Sequence, residues 1–542
     1  MHTNLRQESA QNVNSKSTLG SVLILALCAA LSLMLISNGN PYYTEPGRDS
    51  GFFMFAGREM LKGKQLYTQI WDSKGPLIFF INAFGLWLGA GSRWGLWFLE
   101  LILLTLGFGF AYSVINRHWG HLAGLFGIIT GACALATIFG AGNTVEEYSL
   151  LFSLLSLYAY DQSFTRSDHR LTDLLIGACA MASFHLRANN IGVELVSIIL
   201  IIIVIWREKG FKAIWTRIGW IFLGSLIVNI PVFLYFYLQG TLEEMLAASL
   251  VYNFSYSAVY GSSSFLSRII NDSLLPGLAY FKGWAYVFGL GYAASIYYAV
   301  RKHSPKPFDP FIKLNLVLLP VEVILSAVSG REFGHYFINW IPAIMLSAAI
   351  LFIFAEEFIL SQELVQALKT HAKTYATLFA LILMLALQWD TIVLPQAKAL
   401  YKFVRSPAQS MDYVSRTARY IQENTNPDDR VLVLGGQCGI NLMSNRSSID
   451  GALFYPLINN SPLGLKLQSE YFQNLKDQKP VYIVDGFALY PWHLPAIDPD
   501  NRAKQNITSP LSQNTEEVLS YIWEHYQAVY EVEGYTIYRI NP

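Results

Sequence analysis

The chain has 542 residues, 53% of them hydrophobic and 14% charged, and its formal net charge is zero. Soluble domains carry about 25% charged residues, so this composition excludes an ordinary soluble protein and points to a polytopic membrane protein. No basic patch of nucleic-acid-binding character stands out, and the neutral balance gives no reason to expect a nucleic acid partner. Cys28, Cys133 and Cys179 lie in apolar stretches and Cys438 stands alone in the polar tail, so neither a disulfide framework nor a zinc site is indicated.

Residues 1–18 are polar, with Arg6 and Lys16, and read as a cytoplasmic N-terminal tail. The apolar run that follows is long enough to span and has no clear small-residue cleavage site, which predicts an uncleaved first span rather than a signal peptide. Candidate spans are 19–38, 94–115, 121–139, 147–160, 172–186, 190–206, 217–238, 282–300, 311–328, 335–355 and 374–394. The apolar stretch 76–91 is shorter than the roughly 18 residues expected of a span. If it does not cross and the N-terminus is inside, Arg117, Arg166 with Arg170, Arg207 with Lys209 and Lys212, Arg301 with Lys302, and Lys369 with Lys373 all fall in cytoplasmic loops. That is the positive-inside pattern, so 76–91 is predicted to be an interfacial or re-entrant helix.

The predicted fold class is therefore an α-helical polytopic membrane protein of about eleven transmembrane helices. The external loops would be 39–93, 140–146, 187–190, 239–281 and 329–334. They hold Asp49, Asp72, Lys74, Glu146, Arg187 and Arg331, with Glu147 and His335 at adjoining span edges. Glu100, Glu194 and Glu322 sit toward the outer ends of their spans. Ionisable groups in a bilayer are costly and usually face a cavity, so this shared bias predicts an outward-facing polar cavity.

Residues 49–76, DSGFFMFAGREMLKGKQLYTQIWDSKGP, mix charges with aromatics directly after the first span. Asp49 and Ser50 can cap a short helix that Gly63 ends, with Phe52, Phe53, Ala56 and Met60 on one face. The plain structural reading is an interfacial amphipathic helix with a capping Asp; the sharper one makes Asp49 a catalytic carboxylate. Residues 241–260 read as helical and amphipathic, an interfacial connector or a loop over the cavity. From 395 the composition changes. A helix at about 411–424, strands in RVLVLGG and PVYIVDG, and a closing hairpin over YQAVYEVEGYTIYRI with Glu533-Gly534 at its turn predict a small α/β domain over 395–542. GGQCG lacks the spacing and partner acid of a dinucleotide site.

An outward cavity lined by carboxylates and cations suits a substrate with a long apolar tail and a phosphate head. Lys74, Arg187 and Arg331 are placed to bind the phosphate, and a carboxylate can deprotonate an acceptor hydroxyl. No cofactor is required, although a divalent ion held by Asp49 and Glu146 or Glu147 fits the same groups. Each residue also has a plain structural role open to it: Asp49 as a helix cap, Lys74 as a snorkelling cation, one of Glu146 and Glu147 as a span cap, Arg187 as a charge near a helix C-terminus, and Arg331, His335 and Tyr336 as a packed belt.

Asp49, Gly63, Tyr67, Asp72 and the run Lys74-Gly75-Pro76-Leu77 resemble the first external loop of the GT-C glycosyltransferases, including the protein O-mannosyltransferase and lipid A aminoarabinose transferase groups. GNTVEEYSLLF at 142–152 resembles their second acidic motif, and LRANNIG at 186–192 and GREFGHYFINWIPA at 330–343 resemble later segments of the bacterial members. The resemblance covers most of 19–394. It implies an inverting transferase that moves a sugar from a polyprenyl-phosphate donor to a glycan, lipid or protein acceptor. The site and the C-terminal domain would lie on the outer, periplasmic face of the cytoplasmic membrane. Asp49 matches the catalytic acid, Lys74 the lysine of the Lys-Pro-Pro run, and Glu146 or Glu147 the second acidic position; Tyr67, Asp72, His335 and Tyr336 join the donor site. The chain departs from the pattern at Ser50, where many members have a second acid, at Gly75, which replaces a proline, and in having Glu rather than Asp at the second position. A flippase for a lipid-linked sugar would use the same cavity, and a surface receptor anchored by its spans is a third reading.

Overall fold

The computed structural model describes residues 20–166, 168–259, 264–301, 310–360, 389–390, 394–405 and 412–542. The membrane region is built of α1 (Gly20–Gly39), α2 (Arg48–Leu61), α3 (Leu77–Leu88), α4 (Trp94–Trp119), α5 (His121–Ala136), α6 (Val145–Thr165), α7 (Arg170–Leu186), α8 (Gly192–Lys209) and α9 (Phe211–Gln239). The short helices α10 (Leu242–Leu246), α11 (Tyr252–Val259), α12 (Phe265–Arg268) and α13 (Leu275–Phe281) follow, then α14 (Trp284–Val300), α15 (Pro310–Ala327) and α16 (Ile341–Leu360). Among the described residues five helices, α1, α4, α9, α15 and Gly334–Phe358, are by length and composition apolar enough to cross a membrane. Ten of the eleven expected spans correspond to helices here; the eleventh, 374–394, lies almost wholly outside the described residues.

Contacts along the helices give their relative directions. Asp173–Arg217, Gly177–Ile221 and His185–Asn229 keep one offset of 44 residues, so α7 and α9 run parallel. Phe126 meets Phe352 while Gly131 meets Met345, so α5 and α16 are antiparallel. Both match the alternation expected of successive crossings. The indole N–H of Trp97, at the start of α4, donates to the carbonyl of Ile36, at the end of α1, at 3.1 Å. The chain thus returns to the same end of the bundle after residues 39–93, and α3, only 12 residues long, does not carry it across. A Cβ on Gly177 would lie 1.8 Å from the carbonyl oxygen of Ile221, and one on Gly224 2.1 Å from that of Leu174; glycine lets the backbones of α7 and α9 touch.

The tail forms a four-stranded sheet in the order β1-β2-β4-β3, from β1 (Val431–Val433), β2 (Tyr482–Asp485), β3 (Tyr526–Val532) and β4 (Tyr535–Ile540). β1 and β2 are parallel, as their helical crossover through Pro462–Gln478 requires, and the other pairs are antiparallel. Glu533 and Gly534 turn the hairpin with φ of 55° and 80°, the conformation of a two-residue hairpin turn. The helix expected from 411 starts at Arg416, because Ser415 caps it by accepting from the Ala418 N–H.

The tail does not hang free. One apolar core runs from α2 and α3 (Phe52, Phe53, Phe79) through Tyr148 and Phe236 into Ile449, Tyr455, Tyr471 and Ile483 of the tail. The expectation of a surface-lying α2 is corrected accordingly. Phe52, Phe53 and Ala56 are buried as expected, but so are Gly51, Met54 and Phe55, because the tail covers the face assigned to the headgroups. Phe454 packs on Phe52 at 4.8 Å, and Gly51 sits against the backbone of Gly439.

Candidate active site

The site gathers at the bundle end where α6 and Gly334–Trp340 begin and α7 ends. Asp49 stands in the first turn of α2. It is not the cap: Gly47 occupies that position, and no side chain caps the helix. Its carboxylate is instead held by Arg48, Nε to Oδ1 3.3 Å, and its side chain is 37% exposed. Burial pushes the Asp49 carboxyl up, but Arg48, Lys74 and His335 outweigh it and hold it below the ordinary carboxylate range, so it is ionised at neutral pH.

Lys74 is presented by a folded loop. Tyr67, at φ 70°, donates its hydroxyl to the Lys74 carbonyl at 2.8 Å, and Asp72 accepts the Lys74 N–H at 2.7 Å. Both Tyr67 and Asp72 are buried. Both shape the loop beneath the lysine. Burial pushes the Asp72 carboxyl up, against Lys74; burial also lowers Lys74, but Asp72 and Asp49 outweigh it and raise its ammonium above the usual lysine range. Gly75 explains the departure from proline: a Cβ there would lie 2.1 Å from the carbonyl oxygen of His185. The loop is pinned from the tail, Trp71 N–H to the Gly451 carbonyl at 3.2 Å and Gly451 N–H to that of Gln69 at 2.9 Å.

Thr144 and Glu147 form a capping box at the start of α6. Thr144 is thereby the cap and Glu147 its reciprocal partner, with the Glu147 carboxyl against that of Glu100. Glu146 turns the other way. Its Oε1 lies 2.7 Å from Nη1 of Arg187, and its Oε2 is buried with no hydrogen-bond partner among the described residues. The Arg187 guanidinium in turn lies 3.6 Å from the centre of the Tyr336 ring, and His335 packs edge-on to Tyr336 at 4.7 Å. Asn339 donates to Asn190 at 2.8 Å and Asn190 to Ser149 at 2.9 Å, which fastens the 186–192 and 330–343 segments to α6. Arg331 stands over Phe333 at 6.0 Å, on the side of the site nearest the tail.

Residues that sequence reading passed over complete the site. Asn143, at φ 53°, is a hub: it donates its amide to Ser50 Oγ at 3.0 Å and to Asn82 at 2.9 Å, accepts from Tyr148 at 3.0 Å, and gives its N–H to Glu100 at 2.6 Å. The Gly-Asn pair in GNTVEEYSLLF was its signal. Arg48 and the tail residue His493 had none. Glu194 and Glu322, expected toward a solvent cavity, are at most 1% exposed and face protein instead, whereas Glu100, 5% exposed, lines a cavity with Ser50, Arg93 and Asn143. The connector α10–α11 docks beside Lys74, where Asn253 donates to the Ser73 carbonyl at 2.7 Å, and Tyr252 packs edge-on to Trp71 at 4.8 Å while its hydroxyl accepts the N–H of the tail's Asn459 at 3.2 Å.

Among the described residues no three His, Cys, Asp or Glu side chains converge as a metal-binding group. Asp49 and Glu146, the possible ligands, are each matched by an arginine of the chain, so the donor set does not fit a protein-built cation cage.

No protein-family model and no curated protein matches the chain. Solved structures do. ArnT from Cupriavidus metallidurans bound to undecaprenyl phosphate superposes with a TM-score of 0.57 at 14% identity, covering 95% of this chain and 97% of that one. The oligosaccharyltransferase AglB from Archaeoglobus fulgidus, in complex with an inhibitory peptide and a dolichol-phosphate, superposes at 0.54 with 12% identity, covering 88% and 70%. The expected helical polytopic fold with a small C-terminal sheet is thus the observed one: the chain shares the fold of these two structures, and among the described residues five helices are long and apolar enough to cross a membrane.

Proposed function

We propose that this protein is a glycosyltransferase that takes a sugar from a polyprenyl-phosphate donor and passes it, with inversion, to an acceptor hydroxyl at the outer face of the cytoplasmic membrane. The observation that carries the reading is the gathering of an ionised Asp49, Lys74 and the Glu146–Arg187 pair at one end of a bundle whose fold it shares with two proteins solved with polyprenyl phosphates. The outward placement of that end is supported by the basic residues gathered in the loops of the opposite end, among them Arg117 and Arg217.

In this reading the lipid tail enters between spans and the phosphate stops against Lys74 and Arg187, with Arg331 at the rim. The Asp49 carboxylate accepts the proton of the acceptor hydroxyl as its oxygen attacks the anomeric carbon. The new carbon–oxygen bond forms as the bond from that carbon to the phosphate oxygen breaks, and the electron pair leaves with the phosphate. Lys74 and Arg187 stabilise the charge that develops there. Glu146 holds Arg187 in place, and Tyr336 backs its flat face. Sugar and acceptor are left open by these groups.

The test is reconstitution in liposomes with radiolabelled polyprenyl-phosphate sugars and membrane acceptors. Asp49→Asn is expected to cut transfer roughly 100- to 10,000-fold while donor binding persists. Movement of intact donor across the bilayer without cleavage of the sugar–phosphate bond would overturn the reading in favour of a flippase.

A further inference from the structure

The C-terminal domain reaches Asp49 by way of Arg48. Arg48 lies between Asp49 and the tail: its Nε is 3.3 Å from Asp49 Oδ1, and its Nη1 is 3.2 Å from Nε2 of His493. The other ring nitrogen of His493, Nδ1, meets Ser509 Oγ. A guanidinium only donates, so Nε2 must accept, and the ring hydrogen sits on Nδ1, donated to Ser509. The contact therefore exists only while the imidazole is neutral; an imidazolium offers no acceptor. The loop that carries His493 is tied at several points, with the His493 N–H to the Tyr490 carbonyl at 2.9 Å, Thr508 N–H to that of Trp492 at 3.0 Å, and Gln505 to that of Pro491 at 3.2 Å. The domain is fixed on the same helix by Arg58, which donates to the carbonyls of Asn441, Leu442 and Arg446 at 2.9–3.2 Å.

We propose that His493 is a positioning residue: as a neutral acceptor it holds Arg48 against Asp49, so that the C-terminal domain completes the site on the membrane bundle. The inference rests on the reading of Asp49 as the proton acceptor. The groups that face His493 are Arg48 from α2, Arg331 from the loop after α15, and Ser509 from its own domain. Burial, then Arg48, then Arg331 hold its imidazole below the usual value of 6.5, in keeping with the neutral acceptor role.

The experiment is the pH–rate profile of sugar transfer by the full-length protein in liposomes, for wild type, His493→Gln, His493→Leu and Asp49→Asn. Wild type is expected to lose activity as pH falls through the histidine's titration below 6.5. His493→Gln keeps an acceptor that does not titrate, so it should retain most of the neutral-pH rate and lose that acid limb, leaving only a limb in the lower range where Asp49 itself protonates. His493→Leu should cost about tenfold in kcat at neutral pH with the donor KM little changed, the scale of one hydrogen bond to a charged group, and the gap should close in acid, where wild type has lost the same contact. If His493→Leu turns over at the wild-type rate at neutral pH, or His493→Gln keeps the wild-type acid limb, while Asp49→Asn is inactive, the proposal falls and the transferase reading stands. If Asp49→Asn transfers sugar like wild type, the reading of Asp49 falls and this proposal with it.

Discussion

Replacing Arg187 with methionine keeps most of the stem and removes the charge that faces Glu146. Glu146 is 0% exposed, its Oε1 is 2.7 Å from the guanidinium, and its Oε2 has no other partner among the described residues. Removing one member of a buried ion pair strands the other and costs about 3–5 kcal/mol. The Arg187 side chain is 15% exposed, so water reaches the vacated place and the lower end, about 3 kcal/mol, is expected. Loss of the contact with Tyr336 adds about 1 kcal/mol. Adding Glu146→Gln removes the stranded charge and should return about 2 kcal/mol, the scale of coupling between groups in direct contact. The assay is denaturant unfolding in mixed micelles followed by tryptophan fluorescence, on both single variants and the double. The reasoning is refuted if Arg187→Met costs less than about 1 kcal/mol, or if the double variant is as unstable as the two single losses summed.

Glu59 is fully buried among Arg58, Lys62 and Lys64. Burial pushes its carboxyl up, but the three cations outweigh it and set it below the usual 4.5, so its contribution to stability is complete above that pH and is lost as pH falls through the lowered value. The stability gap between wild type and Glu59→Gln should thus be constant at neutral pH and narrow in acid; a gap that widens in acid would contradict the pairing. Asn143→Ala removes the amide that joins α2, α3 and α6, and a loss of about 1–3 kcal/mol in the same unfolding assay is expected. Gly75→Ala would place Cβ 2.1 Å from the His185 carbonyl oxygen, and should weaken donor binding by displacing Lys74; donor affinity equal to wild type would show that the loop moves freely. Gly51→Ala meets the Gly439 backbone at 2.9 Å and should loosen the tail from α2, read as faster proteolysis between the two.

Much of the bundle was legible because its signals are local. The stretch 76–91 is too short to span, and α3 indeed stays at one end of the bundle. Alternation and turn chemistry marked the strands and the Glu533-Gly534 hairpin. Sequence left Glu146 and Glu147 undivided; the structure separated them, with Glu147 in the capping box with Thr144 and Glu146 on Arg187. The site residues of the first loop, the start of α6 and the start of Gly334–Trp340 were found as separate stretches, each with charges beside an apolar run.

What the chain could not state by itself is which of those stretches meet, and what covers them. An aromatic helix face is satisfied equally by lipid headgroups and by a protein domain, since both remove apolar surface from water; only the docked tail decided that α2 is buried on both sides. A carboxylate in a span is equally suited to a cavity or to a packed polar neighbour, and for Glu194 and Glu322 the packing decided for protein. The Glu146–Arg187 pair joins residues 41 apart and the Arg48–His493 contact residues 445 apart. Hydrogen bonds and ion pairs act over a few ångströms and leave no periodicity along the chain, so composition and spacing determined the membrane bundle and its short returning helix, while tertiary structure alone brought His493 to Arg48 and Arg187 to Glu146.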